Sequence, residues 1–230
     1  AYLLEPREPS GVWPFSDEQS SAVPPGVGES ARVLAALKQW GVALDYAGAL
    51  EALLRRAPPH PRGGSGPEAM DAVALAELLY LGALMGRPLP DQTSALVEHV
   101  QRYGFKPASP GPLRASPFLF AYLLARWLRQ GGDYWRLAST LRPELQKLWE
   151  GAADPTPLDS ALALPALMAF ERPSNVDMWE RALQILARQS LQSQDEAGGW
   201  PALPLFTRAD GTTYGSRQLT TALCLEALGC

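Results

Sequence analysis

Residues 194–201 read Gln-Asp-Glu-Ala-Gly-Gly-Trp-Pro, residues 213–221 read Thr-Tyr-Gly-Ser-Arg-Gln-Leu-Thr-Thr, and an apolar run follows from Ala222 to Leu228. Glycine and proline break regular structure, while serine and threonine favour helix starts. The stretch therefore spells a helix ending at Gly-Gly-Trp, a crossing loop and a second helix. The same grammar stands near the N-terminus, where Ser10-Gly-Val-Trp13-Pro14-Phe15 and a Pro/Gly-rich crossing precede Glu29-Ser30-Ala31 and the run Val33 to Trp40. Setting Ser30-Ala31 on Thr221-Ala222 puts Leu34 on Leu225, Ala36 on Ala227 and Leu37 on Leu228. This is an internal repeat, and its period governs the fold.

Weaker copies of the second helix lie between the two ends, at 71–79, 116–124 and 159–167. The starts at Ser30, Asp71, Ser116 and Asp159 are 41, 45 and 43 residues apart, and Thr221 comes 62 later. A period in the low forties with no strand pattern means stacked helical hairpins. Period alone favours a HEAT- or armadillo-like solenoid.

Particular residues favour a different stack. Gln194-x-x-x-Gly198-x-Trp200 resembles the Gln-Trp repeat of squalene–hopene and related terpene cyclases. The stretch Gly11-Val-Trp-Pro-Phe through Pro24-Pro-Gly-Val-Gly-Glu-Ser-Ala31 is similar to the segment carrying the Asp-x-Asp-Asp-Thr-Ala motif of class II terpene cyclases. The likeness is sharp at these two ends and architectural between them. That superfamily, with the related prenyltransferase β subunits, implies an α/α toroid of parallel inner helices around a cavity, with outer helices returning outside. The expected fold is all-α: a toroid or open crescent of about five hairpins, in one domain over 1–230.

The chain then reads as hairpins in order. Residues 1–28 are turn-rich, because Pro6, Pro9, Pro14, Pro24 and Pro25 exclude a helix from most of them. Inner helices are expected at 30–40, 68–85, 116–129, 158–170 and 216–228, and outer helices at 43–56, 92–103, 133–149 and 176–193. Ser30 is the expected cap of the first. Pro143 is expected to bend or split one outer helix, and Pro165 to kink one inner helix. Trp179, Leu183, Leu186 and Leu191 share a stripe of the last outer helix, with Glu180, Arg181 and Arg188 largely off it. Only Tyr2-Leu3-Leu4 resembles the tail of a first outer helix, which is expected to be truncated. The open edge beside Val33, Leu34, Leu37 and Trp40 is then expected to be covered by a second copy, a partner protein, an N-terminal segment or closure of the two ends.

Composition narrows the function classes. Net charge is −4, charged residues are 19% and hydrophobic residues 47% of 230. No basic block suggests a nucleic-acid surface. Lysine occurs only at Lys38, Lys106 and Lys147. Cys224 and Cys230 make no disulfide framework, and no signal peptide or apolar run of ~20 residues is read. A cytoplasmic location is expected, with peripheral membrane contact through Arg126-Trp-Leu-Arg129 as the competing role for a run that otherwise packs inside.

Class II cyclisation needs a neutral carboxylic acid and an apolar aromatic wall. Placed on the family motif, Val27 and Ala31 match and Ser30 replaces threonine. Glu29 holds the last acidic place, while Gly28 stands where the proton-donating aspartate would be and Gly26 where the first would be. The resemblance implies Glu29, Asp71 and Asp159 as candidate acids, with Phe118, Phe120, Tyr122, Tyr214 and Arg217 binding an isoprenoid or other apolar substrate. The residues alone favour caps at Asp71 and Asp159 and a solvated first-turn carboxylate at Glu29. No cofactor is expected. There is no Asp-Asp pair for Mg²⁺, and His60 and His99 lack ligand spacing. The function classes are a cyclase-like enzyme and a non-catalytic binding or assembly module that lost its acid.

Overall fold

A computed structural model describes residues 26–56, 72–105, 113–132, 134–152, 154–170, 180–181, 183–185, 187–188, 192, 196, 198–208 and 211–229. The chain is predominantly helical. It divides into two compact units, Ala1–His99 with Gln130–Gly132, and Val100–Arg129 with Asp133–Cys230.

The first unit holds α1 (Val27–Gln39), α2 (Tyr46–Arg56), α3 (Ala72–Leu84) and all but the last turn of α4 (Pro90–Tyr103). Helix α1 starts three residues before the expected Ser30. Its N-cap is Gly26, the residue after Pro24-Pro25, and Ser30 N–H already donates to Gly26 O at 3.2 Å. Ser30 is thus an interior residue, fully buried. Asp45 caps α2 by accepting from Gly48 N–H at 2.9 Å. Leu50 and Leu53 form the buried stripe of α2. By contrast α3 is buried almost all round, from Leu75 to Gly82. One-sided burial marks a helix with a solvent face, and all-round burial one enclosed by its neighbours. Leu34 and Leu37 of the expected open flank are buried, Val33 is half-buried and Trp40 is 72% exposed.

Three contacts set the direction of α1 against α3. Gly28 meets Ala74, Arg32 pairs with Glu77, and Gln39 reaches Tyr80. Positions rise together on both helices, so the two run parallel. Direct parallel neighbours separated by α2 are what alternating hairpins produce.

The second unit contains β1 (Leu113–Ala115), α5 (Pro117–Arg129), α6 (Tyr134–Glu150), α7 (Pro157–Phe170), β2 (Phe206–Arg208), β3 (Thr213–Tyr214) and α8 (Arg217–Leu228). Helix α6 buries Leu137, Leu141, Leu145 and Trp149, four residues apart each time, and rests on α7. At roughly 1.5–3 kcal/mol per large side chain buried, this stripe dominates its docking. Pro143 lies on the exposed side, and the helix is not split. Helices α5 and α7 are apolar and buried nearly all round and pack on each other. Ser116, before α5, touches Asp159 in the first turn of α7, while Arg129 at the end of α5 donates to Pro165 O at 3.4 Å. These helices are also parallel. Helix α7 continues through Pro165, and Arg142 Nε caps its end by donating to Phe170 O at 2.9 Å. Phe105 joins Phe120 and Phe170 edge to face.

Helical residues at 180–181, 183–185, 187–188 and 192 fall in the expected last outer helix; Leu183 is half-buried while Glu180, Arg181 and Arg188 are exposed. Trp179, Leu186 and Leu191 lie outside the described residues, as do 1–25, His60 and Asp71.

The expectation of no strands is corrected. An antiparallel sheet of order β1-β2-β3 pairs Leu113 with Arg208 and Phe206 with Tyr214. Strands of two or three residues are too short to show alternation in sequence. The Asp210-Gly211 pair was the available hairpin signal, and Gly211 does take a φ of 86°.

Candidate functional site

The polar residues of the second unit gather where helices begin. Ser116 Oγ accepts from Phe118 N–H at 3.3 Å, and Ser216 Oγ accepts from Leu219 N–H at 3.1 Å. Between these caps, Ser116 N–H donates to Leu205 O and Leu205 N–H donates to Tyr214 O, so the small sheet ties the starts of α5 and α8 together. Asp159 belongs to the start of α7. Thr156 Oγ1 accepts from Asp159 N–H at 3.1 Å, and Asp159 Oδ2 accepts from Thr156 N–H at 3.1 Å and from its hydroxyl at 2.8 Å. This is a reciprocal capping box, with Pro157 at the first helical position. The other oxygen, Oδ1, accepts from Ser116 Oγ at 3.4 Å. Both oxygens of Asp159 are engaged in holding helix starts.

The aromatic candidates are packed. Phe118 is buried against Trp149, ring centres 6.0 Å apart and nearly perpendicular. Phe120 lies against Phe105. Tyr122 is buried, donates its hydroxyl to Glu226 Oε2 at 2.8 Å and carries Arg126 over its ring at 5.6 Å. In the same run Trp127 and Leu128 are buried.

Tyr214 is half-buried, its carbonyl engaged by Leu205. Arg217 lays its guanidinium on the Gly-Gly-Trp turn: a Cβ on Gly199 would fall 2.7 Å from Nη2. Trp200 is fully buried, and its N–H donates to Thr221 Oγ1 at 3.0 Å, while Leu203 N–H donates to Thr220 Oγ1 at 3.3 Å. The motif that decided the sequence reading thus clamps the crossing loop onto α8. Cys224, also on α8, is buried with Sγ 3.8 Å from Pro157 O, and burial pushes its thiol up to about 12.

In the first unit, Glu29 is half-buried in the first turn of α1 and folds back over Gly26, where a Cβ would come 1.7 Å from Oε2. It sits at the third helical position, the place where a carboxylate best complements the exposed N–H groups. Gly28 is buried against α3. A Cβ there would lie 3.0 Å from both Cα and Cβ of Ala74. Glu29 and Asp159 belong to different units.

One carboxylate escaped the reading. Glu77 is fully buried on α3, with Oε1 accepting from Arg32 Nε at 2.6 Å. A lone glutamate among leucines was the signal. Its partner lies 45 residues away and could not be paired from sequence.

Among the described residues no group of three metal-ligating side chains converges. Comparison with family models, with curated proteins and with solved structures finds no match.

Proposed function

We propose that this chain is a non-catalytic binding or assembly module, built as an α/α toroid of the terpene cyclase and prenyltransferase kind. The observation that carries the reading is Gly28. Where cyclisation requires an acid, the chain has a glycine packed on Ala74, and even a Cβ there would lie 3.0 Å from Ala74 Cα and Cβ, so that α1 or α3 would have to give way to a carboxyl side chain. The remaining acids support the same reading: Asp159 is spent on capping, Glu29 covers its own helix start, and Glu77 faces Arg32. Two parallel pairs, α1 with α3 and α5 with α7, support the toroid over an antiparallel bundle. An apolar molecule or a protein partner is the ligand class that such a module takes.

The test is to incubate the purified chain with squalene and its epoxide and to analyse the extract by gas chromatography and mass spectrometry. Unreacted substrate is expected. A cyclised product that disappears in Glu29→Gln overturns the proposal. In parallel, Gly28→Asp returns the missing acid to its place. It should unfold at lower temperature than the parent and remain inactive, since the side chain must force α1 from α3.

A further inference from the structure

We draw no further inference here: the strongest candidate, the apolar strip of α8 left open at Leu219, Leu225 and Leu228, has nothing in the structure to show what covers it.

Discussion

Arg32 and Glu77 are the residues whose removal separates pairing from burial. Arg32 is 35% exposed and Glu77 fully buried, with Oε2 unpartnered among the described residues. Arg32→Met strands a carboxylate between α1 and α3, at a cost of roughly 3 kcal/mol in urea unfolding. Arg32→Met combined with Glu77→Leu should recover to within about 1 kcal/mol of the parent, because an apolar pair needs no desolvation of charge. Equal losses in the single and double variants would show that the pair does not set this stability. Cys224 makes a prediction in pH. Its unfolded thiol titrates near 9.0 and its folded thiol near 12, so the folded state holds the proton more tightly. The stabilisation is complete below pH 9 and is lost as pH rises from 9 towards 12. Cys224→Ala should therefore show a smaller fall in urea midpoint between pH 8 and pH 10.5 than the parent. An identical fall in both would mean that the thiol is not shielded. The candidate site was legible here only in part: residue types marked Glu29, Asp159 and Tyr122, but Glu29 turns back on Gly26, Asp159 caps with Thr156 three residues away, and Tyr122 is held by Glu226 across 104 positions.

At the scale of the element, helix ends fall within one residue of those expected, from Arg56 to Leu228, while the starts of α1 and α2 each differ by three. Ser116 and Ser216 cap where expected, because capping is a local contest between a side chain and the first free N–H groups, whereas Asp159, expected as a cap, lies in the first turn of α7 behind the capping Thr156. Helix α1 was misplaced by three residues since Gly26 caps without a side chain. Asp159→Ala tests whether this carboxylate caps or catalyses. It should lower stability by about 1 kcal/mol, the usual loss for a helix cap, as read by thermal unfolding. Unchanged or raised stability would speak for a strained functional acid instead. Pro143 does not split α6, and α7 likewise runs continuously through Pro165. For α6 the proline faces outward. For α7 the surrounding packing of Leu158 to Leu167 outweighs one lost backbone hydrogen bond of about 1 kcal/mol.

For the whole molecule, the proposed ring makes a scattering prediction. A closed toroid of 230 residues should have a radius of gyration of roughly 17 Å, the compact-domain value. A radius above about 22 Å would favour the open stack. Sequence by itself determined the predominantly helical character, the placing of the helices and which of them are apolar on one side or all round. Each is a property of local spacing: apolar residues at three and four mark α2 and α6, and apolar runs mark α3, α5 and α7. Tertiary structure alone decided which carboxylates are free for chemistry, that Gly28 is a packing contact and that β1 pairs with β2. Those outcomes join positions 43 to 95 residues apart, as in Ser116 with Asp159 and Leu113 with Arg208, and no local pattern records a distance across that much chain.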